Sequence, residues 1–420
     1  MSMASHLSEN RFHPNRTRAA DASTDAADPR VLRPRRAAPA DAVRPTRAEV
    51  NLAALRHNLH VMKRAAKGAR VWPVLKADAY GHGAPAVART LARAGADGFC
   101  VALFEEAVEL RDAGITLPIL VMSGHYGTAH EDVLARNLVP VIYEASQLEA
   151  FARASRALGL TSPVPVHVKI DTGMARLGLP LTELPAFASS FHEFPEIRIA
   201  GLMTHLACAD AATSEETTEQ LRLFDEATAT LGRLGVRAEL RHAANSAALL
   251  RGEANLDAVR PGIGIFGVSP RAEGAETPLT TDVRQVIRVR SEIVSLRDLE
   301  PGKPVGYGAL FRTSRPSKIA TVPMGYADGL SRRLTNVGHM LVRGRRAPIV
   351  GAVSMDMTMI DVTDIPGADL RDEVVVFGGQ EGPLGKDFLG AEEVANHQGS
   401  IPWEVLTSIS RRVPRFYREP

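Results

Sequence analysis

The chain has 420 residues, 45% hydrophobic and 23% charged, an ordinary soluble-globular composition with room for about two or three domains. Lys and Arg number 50 and Asp and Glu 48, interspersed along the chain, so the net charge of +2 gives no reason to expect nucleic acid as a partner. The two cysteines, Cys100 and Cys208, indicate neither a disulfide framework nor a zinc site; no apolar run reaches the roughly 18–20 residues of a membrane helix, and MSMASHLSEN lacks the apolar core of a secretory signal, so no membrane partner and a cytoplasmic location are expected.

Residues 1–45 are rich in Arg, Ala, Asp and Pro and poor in large apolar side chains. They bury too little to offset chain entropy and are expected to form a disordered tail. A mitochondrial transit peptide is the rival reading; Asp21, Asp25 and Asp28 oppose it, because such peptides avoid acids. From about residue 46 to 278, short β-rich runs alternate with amphipathic helical patterns, including Phe104–Ala113 and Ser146–Leu158. The strands are predicted to end near Leu75, Val101, Met122, Ile142, Ile170, Thr204, Leu240 and Arg260. Eight strands alternating with helices is the count of an α/β (β/α)8 barrel, although a doubly wound open sheet gives the same alternation. Residues 279–420 read as a second, mostly β domain, with strands over Val286–Leu296, Lys318–Val322, Met340–Arg343, Ala347–Val350, Met357–Val362 and Glu373–Phe377.

Chemistry-bearing residues cluster at predicted strand ends. In VWPVLKADAYGHG an apolar strand ends in Lys76, followed by a Gly-rich turn. Barrel active sites form at the C-terminal mouth, and partial burial there would lower a lysine pKa toward that of a Schiff-base amine; a lysine merely snorkelling from a strand end is the plainer alternative. HVKIDTGMARLG, MTH, HAANS and RPGI close later strands. Taken singly, Asn245 and Ser246 read equally as helix caps, and His205 as a satisfied core histidine. Gly262 to Gly267 spell GxGxxG, but Val268-Ser269-Pro270 follows instead of an amphipathic helix, so a dinucleotide fold is rejected. The glycines fit backbone N–H groups approaching one phosphate.

VLKADAYGHG, KIDTGMARLG, THLACAD, HAANSAA, VRPGI, VGYGALF, PMGYADG and SMDM, in this order, resemble the motifs of the bacterial alanine racemases, over roughly Arg47 to Arg415. That resemblance implies a pyridoxal-phosphate isomerase that interconverts L- and D-alanine for peptidoglycan, built as a barrel plus β domain and working as a homodimer with shared sites. It implies that Lys76 carries the cofactor and that Tyr80, Ser246, Gly262 and Ile263 surround its phosphate, with Asn245 beside them. His205 would pack near the ring, and Arg260 would meet the pyridine nitrogen. Tyr307 of the other subunit would be the second base. Arg176 would hold the substrate carboxylate, Met355 would offer it a backbone N–H, and Asp356 would lie near Lys76, with Tyr326 supporting. Lys169 matches a position often carbamylated. Two departures stand out. Trp403 occupies the position where the family usually has a tyrosine contacting the phosphate and the substrate pocket, and so joins the cofactor-binding set; an indole donates but cannot accept and is bulkier, which opens the questions of that phosphate contact and of serine as a substrate. Ser354 stands where cysteine is common. A pyridoxal-phosphate decarboxylase of related fold is the rival; it would pair the pyridine nitrogen with an acid rather than Arg260.

Overall fold

The computed structural model describes residues 42–419 apart from 124–125, 127–128, 212–213, 269 and 271–281. Most of the expected tail, residues 1–41, and the proposed domain boundary at 278/279 lie outside the described residues.

Strand β1 (Arg47–Asn51) ends at Asn51, whose Oδ1 accepts the N–H of Ala54 at 2.9 Å and caps the helix Leu52–Ala66. That helix buries Leu55, Leu59 and Met62 on one stripe. The parallel strands follow: β2 (Arg70–Val71), β3 (Phe99–Val101), β4 (Ile119–Val121), β5 (Val139–Ile142), β6 (Val164–Lys169), β7 (Ile197–Met203), β8 (Leu240–His242) and β9 (Ala258–Val259). Strands β3 to β8 pair in sequence order, and β2 pairs with β9. The ring is completed by Leu75 N–H to Cys100 O and Cys100 N–H to Pro73 O on one side, and by Asp257 N–H to Arg241 O and Arg260 N–H to Ala244 O on the other. A doubly wound sheet would reverse its strand order, so this is the barrel. Predicted strand ends fall within two residues of the observed ones, except that β2 stops at Val71 and only an isolated bridge, Val74 to Cys100, carries it on.

Beyond Leu75 the backbone does something the sequence does not announce. Ala77, Asp78, Ala79 and Tyr80 all have φ between 51° and 58°, a left-handed turn of non-glycine residues. Each such residue costs roughly 1–2 kcal/mol, so the surroundings must hold it. Glu106 does so from outside, its Oε1 accepting the Ala77 N–H at 2.6 Å. The buried His82 does so from inside, its Nδ1–H shared between the carbonyls of Ala79 (3.0 Å) and Tyr80 (2.9 Å). Phe266 packs against both Tyr80 and His82, with ring centroids 5.0 and 4.4 Å away.

The second domain contains β10 (Ile287–Glu292), β11 (Ser295–Leu299), β12 (Pro304–Val305), β13 (Phe311–Arg312), β14 (Ser317–Val322), β15 (His339–Val342), β16 (Arg345–Pro348), β17 (Thr358–Asp361), β18 (Glu373–Gly382), β19 (Gly385–Leu389) and β20 (Arg415–Arg418). The run Val286–Leu296, expected as one strand, is two: β10 joins a seven-stranded sheet and β11 a three-stranded one with β14 and β17. In the larger sheet, ordered β16-β15-β18-β10-β1-β20 with β19 on β18, the N-terminal strand β1 lies between β10 and the last strand, β20. The barrel and this sheet share one buried core, which includes Val50, Leu59, Phe266, Val289 and Val413.

Candidate active site

The residues singled out from the sequence fall into two sets. Lys76, Tyr80, Lys169, Arg176, His205, Asn245, Ser246, Arg260, Gly262 and Ile263 lie at or just beyond the C-terminal ends of barrel strands. There the mouth of the barrel collects side chains that are distant in sequence.

Ser246 begins the helix Ser246–Arg251, which Asn245 caps by accepting the N–H groups of Ala247 (3.0 Å) and Ala248 (3.1 Å). The Ser246 oxygen accepts from the N–H of Gly262 (2.8 Å) and Gly264 (3.2 Å), which leaves its own proton free to donate. A Cβ on Gly262 would stand 2.3 Å from the Tyr80 hydroxyl oxygen, so only glycine lets the phenol approach this turn. Burial raises the Tyr80 pKa, keeping it a donor. A turn edged by two hydroxyl donors suits an anionic phosphate.

The charges beside it are cationic. Burial, reinforced by Arg176, lowers the Lys76 pKa, while Glu106 opposes the shift. Lys169 is buried and pushed down to about 8, first by burial and then by Arg176 and Arg260, with Asp171 opposing. Arg176 sits exposed on the loop after β6, where Asp171 Oδ1 accepts three successive N–H groups, those of Gly173, Met174 and Ala175. Burial and the nearby cations, Arg260 foremost, push His205 down to about 3, so its imidazole is neutral.

Arg260 is fully buried, its pKa lowered to about 10 by burial, and it remains a cation at neutral pH. It donates to the carbonyls of Thr204 (2.8 Å) and Ala243 (3.1 Å) and to His242 Nδ1 (2.5 Å). His242 Nε2 in turn lies 2.7 Å from His167 Nδ1. Burial holds both histidines far below their ordinary pKa. These two rings were not singled out from the sequence, nor were Glu106 and His82. His167 and His242 meet only across strands of the closed barrel, whereas Glu106 reaches Ala77 from the helix Phe104–Asp112 and His82 bonds back onto its own turn.

The second set lies in the β domain. A cleft of about 1150 Å³ is lined by Tyr307, Tyr326, Met355 and Asp356 among others; Lys76 is not among its lining residues. Tyr307 is 75% exposed, between Gly306 and Gly308, both at φ 71°. Trp403 belongs to neither set: it lies on the helix Pro402–Ser408, half-buried against the main core. That helix packs on the left-handed turn, since a Cβ on Gly81 would meet Leu406 O at 2.5 Å.

Residues 50–270 match the family model "Alanine racemase, N-terminal domain" and residues 286–417 match "Alanine racemase, C-terminal domain". The chain is 59% identical over 385 residues to an alanine racemase of Sorangium cellulosum, covering 90% of this chain and all of the relative. It superposes on the biosynthetic alanine racemase of Pseudomonas aeruginosa with a TM-score of 0.78 at 37% identity, covering 90% of this chain and 100% of that one. An alanine racemase from Bartonella henselae solved with covalently bound pyridoxal phosphate gives 0.80 at 30% identity, covering 89% and 99%. The decarboxylase reading falls with these matches. With both domain models satisfied in order, and a cationic lysine-bearing barrel mouth followed by the β-domain cleft, the chain belongs to the alanine racemase family.

Proposed function

We propose that this chain interconverts L- and D-alanine by moving the α-proton between two bases on opposite faces of the substrate, Lys76 and the Tyr307 of a second copy of the chain. The observation that carries the assignment is the position of Lys76. It stands at the barrel mouth with its pKa lowered, beside a turn edged by the Ser246 and Tyr80 hydroxyls. Pyridoxal phosphate bound at Lys76 supplies the electron sink that makes the α-proton acidic. Ser246, Tyr80, Gly262 and Ile263, backed by the Asn245 cap, would hold its phosphate, with His205 beside its ring. Arg260 would lie at the pyridine nitrogen, where a like charge would oppose protonation. The sink would then be weak, which would favour prompt return of a proton to the substrate.

Arg176 and the Met355 N–H take the substrate carboxylate, with Asp356 and Tyr326 on the same wall. A Lys169 pKa of about 8 leaves an appreciable share of neutral amine near neutral pH. A neutral amine is the form that adds carbon dioxide, and a carbamate there would turn a cation into an anion facing Arg176. The indole of Trp403, on the helix whose Leu406 meets the turn after Lys76, motivates a second reading in which serine is also accepted. The family matches on 50–270 and 286–417 support a division near residues 278/279. Strand β1 is the exception, being paired into the β domain's sheet. The two free cysteines suit a reducing, cytoplasmic compartment, and membership of the family supports a role in supplying D-alanine for peptidoglycan.

Borohydride reduction of the yellow holoenzyme followed by peptide mapping is expected to place the pyridoxyl group on Lys76. A label on Lys169 or Lys318 overturns the assignment. Separate incubations with L-alanine and L-serine, resolved by enantiomer, decide the substrate range.

A further inference from the structure

Asp328 is a fully buried carboxylate in the second domain, and two arginines converge on it. Arg44 grips it with both terminal nitrogens, Nη1 to Oδ2 at 2.9 Å and Nη2 to Oδ1 at 2.7 Å. Arg412 reaches the same Oδ1 through Nε at 2.9 Å, and the Gly325 N–H donates to Oδ2 at 3.0 Å. Arg412 then turns its Nη2 outward to Asp356 Oδ1, 2.6 Å away. The four side chains alternate in charge and sum to zero. A chain of ion pairs thus runs from the start of the described polypeptide to Asp356, a wall residue of the cleft that also holds Tyr307 and Met355.

The backbone is fastened at the same place. The N–H groups of Tyr326 and Ala327 donate to the carbonyls of Ser354 and Met355, each at 3.0 Å, and a Cβ on Gly325 would stand 2.2 Å from Ser354 O. The turn that carries Asp328 is therefore pressed onto the Ser354–Met355 backbone. The Asp356 side chain lies beyond this backbone clamp, and Arg412 is its hydrogen-bond partner. The Arg412–Asp356 pair is about half exposed, at 43% and 54%. Exposed pairs contribute little to stability, so holding the fold is a poor account of it. A guanidinium anchored on a buried acid and pointing its free edge at a cleft carboxylate suits a different task, fixing direction.

We propose that Arg412 is a positioning residue of the substrate wall: anchored by Asp328 and Arg44, it sets the bearing of the Asp356 carboxylate beside the Met355 N–H, which the backbone clamp already holds. This rests on the reading above that Asp356 and Met355 face the substrate. It also makes Arg44, at the end of what reads in the sequence as a disordered tail, part of the machinery's support.

The test is a double-mutant cycle in the holoenzyme, with Arg412→Gln, Asp356→Asn and the pair, scored by kcat and KM for L-alanine beside visible spectrum and melting temperature. Arg412→Gln is expected to raise KM about tenfold with a smaller change in kcat and an unchanged spectrum. On the Asp356→Asn background it should add little, because its target has gone. Should Arg412→Gln fail to fold, Arg412→Lys keeps the charge on Asp328 but cannot present two directed edges, and should show the same KM rise. Losses that add independently of Asp356 overturn the proposal alone. Unchanged kinetics in a folded, cofactor-loaded Asp356→Asn enzyme overturn the placing of Asp356 at the substrate, and the proposal with it. Deleting residues 2–41 should leave KM unchanged and deleting through Arg44 should raise it; equal KM values in the two truncations remove Arg44 from the device.

Discussion

Arg260 can only donate, and that orders two histidines behind it. His242 Nδ1, 2.5 Å from the guanidinium, must accept, so its proton sits on Nε2 and is donated to His167 Nδ1. His167 then carries its own proton on Nε2, and Trp72 packs against both rings, at 5.5 and 6.0 Å between centroids. The relay fixes the direction of Arg260 while leaving its charge unpaired by any acid in these contacts, which is what opposing protonation of a pyridine nitrogen requires. Arg260→Glu should reverse both the charge and the direction of hydrogen bonding. The visible spectrum should then shift, and the product ratio should move from racemisation toward transamination, measured as pyridoxamine phosphate formed per enantiomer converted. An unchanged spectrum and ratio would remove Arg260 from that role. The arginine itself is legible in the sequence because VRPGI is a compact motif. The histidines that aim it are not, because His167 and His242 stand 75 residues apart and meet only across the closed barrel.

At the scale of elements, the local patterns that are legible are those set by nearest neighbours. Amphipathic periodicity places Phe104–Asp112 and Ala145–Ala157 within a residue or so of the expected helices, and apolar runs place the barrel strands. What escapes is decided by distant partners. Arg47–Asn51 looks like the approach to the barrel, but its places in the sheet are set by β10 and β20. Val286–Leu296 reads as one strand because nothing in its pattern shows that the chain changes sheet at Ile293–Val294. The left-handed turn at Ala77–Tyr80 runs against residue preference and exists because Glu106, His82 and the helix Pro402–Ser408 enforce it. Gly81 is where that enforcement has least room: φ is 79° and a Cβ would meet Leu406 O at 2.5 Å. Gly81→Ala should therefore destabilise the fold by about 2 kcal/mol or more. It should also weaken retention of the cofactor, because the displaced turn begins at Lys76. Thermal melting and dialysis against cofactor-free buffer measure the two effects; a wild-type melting temperature would show that the helix yields instead.

The whole molecule leaves its two groups of candidate residues apart. Lys76, Arg260 and Ser246 face the barrel mouth, while the cleft that holds Tyr307 belongs to the β domain. Tyr307 and Met355, 75% and 52% exposed, line this cleft, and Leu310, three residues after Tyr307, is 55% exposed. On the two-base mechanism proposed above, the acceptor for the face of the substrate opposite Lys76 would come from a second chain that lays this cleft over the barrel mouth. If so, each site takes its lysine from one chain and its tyrosine from the other. Tyr307→Phe should keep fold, dimer and cofactor and lose activity by about 100- to 10,000-fold, the usual contribution of a positioned acid–base group. Lys76→Ala should be inactive for its own reason. A mixed dimer of the two variants carries one site with the native lysine of the first and the native tyrosine of the second, so mixing two inactive proteins should restore part of the wild-type rate as subunits exchange. Exchange can be followed separately with differently tagged chains. Verified exchange without recovery, or an isolated monomer turning over at the dimer's rate, would place the second base within a single chain.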